Sequence, residues 1–381
     1  MSAFVEPLPD ACRSSVRRRV AAFALLAMVS TVVAEPPHEV EVVTPGLEHP
    51  WSLAFLPDGG MLVTERPGRL RHISPTGELS PEPIGGLPDD LHAKAQAGLK
   101  DVVLATDFEQ SGTLFLSYAC GTEAANTTCL ARAEWHGNDL QDLEVIFRAE
   151  PLREGSVHYG GRIAQLPDDT VLLTLGDGFS YREEAQNRNS HIGKIVRVNP
   201  DGTVPADNPF VNDPDTLDEI YTLGHRNPQG LIYDAENDRI IAHEHGPRGG
   251  DELNIIRAGQ NYGWPLITTG VDYTGARITP FTDLPGLTRP ILTWTPALAP
   301  SGLTRYDGIQ FPEWQGDLFV GGLAGQSVRR VRLNNGEVVE QSTLLAERGE
   351  RYRDVRTGPD GALYLLTDAS DGAVLRVLPA H

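Results

Sequence analysis

The sequence predicts an all-β chain, a six-bladed β-propeller of four-stranded antiparallel blades. Three observations predict it. A unit of apolar strand, turn near Pro-Asp-Gly and second apolar strand recurs six times. The copies are spaced roughly 50 to 75 residues apart, the signature of a repeat architecture. Helical periodicity is almost absent, while Gly/Pro turns separate short strands throughout. A lone hairpin cannot bury its apolar face, but blades stacked around one axis can. A pair of β-sandwiches would also use short strands, but six copies around one axis explain the spacing better.

Copy one is Trp51–Glu65, WSLAFLPDGGMLVTE, and Arg69–Ile73 follows as a third strand. Copy two is Leu99–Tyr118, with Asp107-Phe108 at its turn. Copy three is Gly161–Leu175, followed by Ile195–Val198. Copy four is Gly230–Glu244, copy five Gly302–Val320 with Val328–Leu333 after it, and copy six Asp354–Thr367. Val374–Val377 closes the chain. Long insertions at Gly176–Gly193, His245–Trp264 and Tyr273–Arg289 would roof the central axis if they share one face, and loops on a rigid scaffold commonly carry function. The densest stretch is Ile240–Trp264. It joins Gly-Pro-Arg-Gly-Gly to acids and His, and reads as a backbone-lined ligand site or as a surface loop with a helix after it.

Ahead of the repeats, Arg13 and Arg17–Arg19 precede the apolar run Val20–Ala34, the form of a secretory signal. The run is shorter than a membrane span requires, and no other segment could span a bilayer. We therefore expect a signal peptide over 1–34, one catalytic domain over 35–381, and a periplasmic or secreted location. The 381-residue chain has a formal charge of -20. Its leader carries four Arg against Glu6 and Asp10, so the mature chain lies near -22. Such a chain repels nucleic acid and anionic lipid surfaces. Cys120 and Cys129 flank a hairpin tip and, in an exported chain, are expected to pair. Asn126-Thr127-Thr128 has the form of a glycosylation acceptor, a short pattern that recurs by chance.

Several residues could carry chemistry. His158 stands just before the inner strand of copy three, and Asp177 ends the strand paired with it. Together they suit a general base and the carboxylate that orients it, although a structural His at a blade entrance has the same pattern. Arg226 and Asn227 precede copy four and could face an anionic or quinonoid ligand. Arg351 and Arg353, two residues apart on an extended segment, point to one side and suit a ligand with several carboxylates. Gln96 enters copy two at the equivalent place. His243 and His245 flank Glu244 and share a strand face, a spacing open to a transition metal. Neither a phosphate-binding Gly loop nor a Gly-x-Ser-x-Gly elbow is present.

Taken together, GHRNPQG at Gly224–Gly230, Glu244-His245-Gly246-Pro247 and GDELNIIRAGQNYGW at Gly250–Trp264 resemble the soluble quinoprotein glucose and aldose sugar dehydrogenases. His158-x-x-Gly161-Arg162, Gly176-Asp177, Ala299–Gly302 and Arg351–Asp354 fall in the family's order, so the resemblance runs from about Pro50 to Asp368. It implies a six-bladed propeller binding pyrroloquinoline quinone (PQQ) and Ca²⁺, and oxidation of an aldose at its anomeric carbon to a lactone. It further implies His158 as base supported by Asp177, with Arg226 and Asn227 on the quinone and Gln96 near quinone and sugar. Arg351 and Arg353 would bind its carboxylates, and backbone carbonyls of Gly246 and Pro247 would ligate the Ca²⁺. A second, structural calcium would correspond to Glu252, Tyr262, Thr268, Gly270 and Asp272, some through backbone oxygen. His243 and His245 then have no part in the chemistry. The chain departs from the family's pattern at Ala324, where a Lys contacts PQQ, at Thr295 and Ala297, and at Val157. These departures suit the aldose sugar dehydrogenase branch, with a more open pocket. The partners implied are an aldose and an electron acceptor that the sequence does not identify. Two other classes remain open: a Ca²⁺-dependent sugar-lactone hydrolase and a non-enzymatic propeller that binds protein or glycan.

Overall fold

Six antiparallel sheets make up a computed structural model of the chain, which describes residues 35–380. The leader expected at 1–34 lies outside the described residues. After β1 (His38–Leu47), the first blade holds β2 (Pro50–Phe55), β3 (Met61–Glu65) and β4 (Arg69–Ile73). The second holds β5 (Leu99–Leu104), β6 (Thr113–Gly121), β7 (Asn126–Trp135) and β8 (Leu140–Arg148). The third holds β9 (Gly160–Gln165), β10 (Val171–Leu175), β11 (Lys194–Val198) and β12 (Ile220–Leu223). The fourth holds β13 (Pro228–Asp234), β14 (Arg239–Glu244), β15 (Asp251–Ile256) and β16 (Leu292–Trp294). The fifth holds β17 (Pro300–Arg305), β18 (Leu318–Gly322), β19 (Val328–Asn334) and β20 (Glu337–Leu344). The sixth holds β21 (Tyr352–Thr357), β22 (Leu363–Thr367) and β23 (Gly372–Pro379), with β1 as its fourth strand.

All six predicted hairpins are therefore inner strand pairs. Inner strands β2, β5, β9, β13, β17 and β21 contact one another in a closed ring, which makes the axis. Apolar clusters fill the spaces between blades: Phe115 and Leu130 of the second blade meet Ile163 and Leu173 of the third. Burial of this kind, roughly 25 cal/mol per Å² of apolar surface, is what stacking supplies and a lone hairpin lacks.

The structure corrects the expected layout in three places. The first blade has three strands, not four. His245–Trp264 is not one insertion and contains no helix. Asp251–Ile256 is strand β15, in which Asp251, Leu253, Asn254 and Ile256 are buried. The Gly-rich segment is only the short 245–250 connection ahead of it. The glycosylation pattern is also unusable: Asn126 is buried, and its Nδ2 donates to the carbonyls of Thr122, Glu123 and Gly155. Cys120 and Cys129 form the expected disulfide across the β6–β7 hairpin. No described helix is long and apolar enough to cross a membrane.

Candidate active site

Connections entering or leaving the inner strands of the third and fourth blades meet at one end of the axis. Asp177 N–H donates to the Arg226 carbonyl at 2.7 Å, and His245 N–H to the Asn227 carbonyl at 3.2 Å. Gly176 permits the closest of these approaches: a Cβ there would lie 2.2 Å from the His158 carbonyl. His158 itself has φ +51°, a left-handed conformation uncommon for a residue with a side chain, and its N–H donates to Gln96 Oε1 at 2.9 Å.

These contacts bring His158 and Asp177 together as the sequence predicts. Asp177 Oδ1 lies 2.7 Å from His158 Nδ1 and also accepts the Phe179 N–H at 2.8 Å. Its Oδ2 accepts the indole N–H of Trp264 at 2.8 Å. Both side chains are buried. Burial lowers the His158 pKa below its ordinary value, an effect that the Asp177 hydrogen bond only partly offsets. Burial alone would raise Asp177, but its hydrogen bonds and the charges of His158 and Arg226 outweigh that and hold it low. The pair thus presents a neutral imidazole beside an ionised carboxylate, with Nδ1 engaged. Among the described residues Nε2 has no hydrogen-bond partner, so it is the nitrogen left to take a proton.

Beside this pair lies an axial cavity of about 280 Å³, walled by Gln96, Asn227 and Gln229, the cations Arg66, Lys100, Arg351 and Arg353, and His245 among others. None of its wall residues is an acid. Arg351 and Arg353 share a direction, as their spacing predicts. Both donate to Asp368 Oδ2, at 3.2 and 2.9 Å. Burial would raise Asp368, but Arg353, His49 and Arg66 override it and hold the carboxylate well below its usual range. One acid therefore answers a cluster of cations, which suits a buried polyanion. Asn227 Oδ1 accepts from Gly160 N–H at 3.1 Å.

Sharing His245 and Ala299 with the cavity is a second recess of about 440 Å³, lined by Gly246, Pro247, Tyr273, Thr295, Ala297 and Ala324 among others. Asp251 shapes its Gly-Pro turn by accepting the N–H groups of Gly246 at 2.8 Å and Ala299 at 2.7 Å. Arg226 is not brought to the axial cavity. Its guanidinium donates to the carbonyls of His245 (3.1 Å) and Gly246 (2.6 Å) and lies 5.4 Å from the Trp264 ring and 6.0 Å from that of Tyr273. These carbonyls satisfy the charge that the sequence had directed at a quinone.

The residues expected at a structural calcium separate. Glu252 and Thr268 line one small recess with Glu244, Gly246 and Gly250. Burial, and then the charge of Glu244, push Glu252 well above the usual carboxylate range. Tyr262 and Asp272 do not line that recess. The Tyr262 hydroxyl donates to the Ile255 carbonyl at 2.7 Å. The Asp272 carboxylate is partly exposed and accepts from Thr274, because a short Asx turn satisfies it locally. Gly270 packs against Pro247, a wall of that recess, and its N–H donates to Thr268 Oγ1 at 3.2 Å, so it lies just behind the recess. His243 and His245 are held by backbone, at 3.4 Å from the Gly302 carbonyl and 2.8 Å from the Pro300 carbonyl.

Sequence reasoning missed Arg66, Lys100 and Gln229 in the axial cavity, the Trp264 anchor on Asp177, and the wall position of His245. It also missed Phe179 and Tyr273, half-exposed rings stacked 6.1 Å apart, with Phe179 edge-on to His158 at 5.3 Å. Lys100 carried a legible signal: a Lys within the apolar run Leu99–Leu104, just past Gln96. A larger groove of about 970 Å³ opens at the opposite ends of β9 and β13, around Asp168, Tyr233 and Arg257. It holds none of the predicted site residues, so volume does not locate the chemistry here.

A profile of the glucose / sorbosone dehydrogenase family matches residues 47–376. The chain is 41% identical to aldose sugar dehydrogenase YliI of Escherichia coli K12 over 364 residues, covering 94% of this chain and 97% of that one. The crystal structure of the soluble aldose sugar dehydrogenase of E. coli in its apo form superposes with a TM-score of 0.86 at 40% identity, covering 90% of this chain and 100% of that one. The PQQ-bound aldose sugar dehydrogenase of Streptomyces coelicolor superposes at 0.73 with 27% identity, covering 90% and 99%.

Proposed function

The chain belongs to the glucose/sorbosone dehydrogenase family, and from that premise we propose that it oxidises aldose sugars at the anomeric carbon to lactones, using PQQ and Ca²⁺. The observation that carries the proposal is the buried His158–Asp177–Trp264 chain beside a cavity walled by cations and amides. That cavity fits the group: Arg66, Arg351 and Arg353 would hold its carboxylates, with Gln96 and Asn227 on its polar edges. The carbonyls of Gly246 and Pro247 are oxygen donors of the kind Ca²⁺ takes, with Gly246 already shared with Arg226. Glu252, with Thr268 and Glu244 in place of Tyr262 and Asp272, would hold the structural ion. PQQ, when bound, supplies the two-electron acceptor that side chains lack.

This chain's own residues do the rest. His158 Nε2 takes the proton of the anomeric hydroxyl as the carbon is oxidised. Asp177 fixes the tautomer through Nδ1 and stabilises the imidazolium that forms, a role worth roughly 10²–10⁴-fold for a placed base. Trp264 and the Phe179 N–H hold Asp177 in place. Phe179 and Tyr273 border the approach to His158 and offer apolar faces to a sugar ring. The absence of acids from the axial walls disfavours a lactone hydrolase, which would gather carboxylates there. A leader at 1–34 would carry the enzyme to the periplasm or beyond, where an acceptor reoxidises it.

The test is dye reduction. Full chain reconstituted with PQQ and Ca²⁺ is expected to reduce an artificial electron acceptor with glucose, xylose or maltose. Folded, cofactor-saturated protein that reduces no dye with any aldose would remove the reading. H158A is expected to lose turnover and keep PQQ; loss of PQQ with retained turnover would displace His158 as base.

A further inference from the structure

Lys100 lies on β5, between Leu99 and Asp101, and the residue is only 3% exposed. Its stem lies flat on Gly161: a Cβ at 161 would meet Lys100 Cδ at 2.7 Å, so that glycine leaves the room the lysine occupies. The ammonium reaches the axial cavity between two rings, 5.5 Å from the Trp51 centroid and 5.1 Å from that of Tyr159. Its hydrogen bond goes to a neutral acceptor, the Gln96 carbonyl at 2.5 Å. Nearby acids are spent elsewhere. Asp101, its chain neighbour, accepts from Ser52 and Arg162, and Asp368 answers Arg351, Arg353 and His49. The charges facing Lys100 are Arg66 from the β3–β4 turn, Arg153 from the segment before β9, Arg162 from β9 and Arg353 from β21. A buried ammonium among guanidiniums costs stability unless an anion joins it.

We infer that Lys100 is a further cofactor-binding residue of this chain, pairing in the axial cavity with an anionic group of the bound quinone. The inference rests on the PQQ reading above and adds a cation from the second blade to the paired arginines of the sixth. A proton consequence follows. Burial, then Arg353 and Arg66, hold the Lys100 pKa well below its ordinary value in the free protein. An anion beside it favours the charged form and raises that pKa. Binding at a pH between the two values therefore takes up a proton. Asp368, which answers Arg351 and Arg353, is already ionised there and contributes none.

The experiment is calorimetric titration of the full chain with PQQ in excess Ca²⁺, in two buffers of different ionisation enthalpy. Wild type is expected to bind with proton uptake. K100M is expected to bind at least tenfold more weakly and to take up fewer protons than wild type, His245 being another titratable wall residue held low by burial. K100R keeps the charge at every accessible pH, so it should restore most of the affinity without the Lys100 share of the uptake. Circular dichroism and thermal melting establish that each variant is folded. If K100M misfolds, wild type against K100R reads the proton count alone, and equal uptake by both overturns the inference. So does a folded K100M that binds PQQ with wild-type affinity. Wild type that binds no PQQ at all instead sinks the quinone reading, and the Lys100 inference with it.

Discussion

At the scale of single residues, His158 is set as much by its backbone as by its partner. Its φ of +51° and the Gln96 contact to its N–H fix where the ring begins, and Asp177 fixes where it points. Strain of this kind is retained where the surroundings over-determine it. The pH dependence follows. A base works when unprotonated, and burial has moved the His158 pKa below 6.5. The rate should therefore hold through neutrality and fall only on an acidic limb below pH 6.5. Asp177 raises that pKa, so D177N should move the limb to still lower pH while cutting kcat by roughly 10²–10⁴-fold. A kcat–pH profile of both proteins checks it. A limb that moves up instead would mean that Asp177 does not stabilise the protonated ring.

At the scale of elements, the inner hairpins were legible and the outer strands were not. β2–β3 and the five pairs like it are short apolar runs around Pro-Asp-Gly-type turns, a local signal that needs no partner to be read. β1 and β20 alternate half-buried and exposed residues and carry Glu and Gln, so their apolar content is low. β1 also pairs with a strand more than 300 residues away, which no window can see. The site divides the same way. His158 and Asp177 flank the paired strands β9 and β10 of one blade, 19 residues apart, and were predicted together. Trp264 reaches Asp177 across 87 residues and was not. Arg226 was assigned from type and position, and two carbonyls beyond its own segment decided its direction. The second blade offers a test of a link expected from two cysteines flanking a hairpin tip in an exported chain. Its disulfide closes a loop with a sequence separation of 9, across a hairpin whose Thr128 hydroxyl donates to the Tyr159 carbonyl, next to His158. Closing so short a loop is worth about 2–3 kcal/mol. C120S/C129S should therefore melt a few degrees lower in thermal denaturation, as should reduced wild type. Unchanged melting would mean that the nine registered pairs of β6 and β7 hold the hairpin unaided.

At the scale of the whole molecule, the ring is held by two kinds of closure. Around the axis, Arg162 lies 4.0 Å over Trp51 of the first blade and 3.4 Å from Asp101 of the second. It also donates to the Gln229 carbonyl of the fourth blade and the Arg353 carbonyl of the sixth. It therefore joins the strands that bear the cavity walls. At the rim, β1 completes the sixth blade along β23, from His38 opposite Pro379 to Leu47 opposite Gly372. Ahead of that strand, Glu35 accepts from Arg330 at 2.7 Å and from the Trp314 indole at 2.9 Å, reaching the fifth blade. The chain thus returns to its start, and a blade built from both ends cannot finish until the last strand is made. Each ladder hydrogen bond nets about 1 kcal/mol. A strand's worth of them, plus the burial of Leu47 and Thr44, rivals the roughly 5–15 kcal/mol that separates a folded domain from its unfolded chain. A chain begun at Glu48 should then fail to give soluble, cooperatively melting protein, even though every site residue is retained. Sedimentation and thermal melting decide it. A truncated chain that stays monomeric and melts like wild type would show that the axial network around Arg162 closes the ring alone.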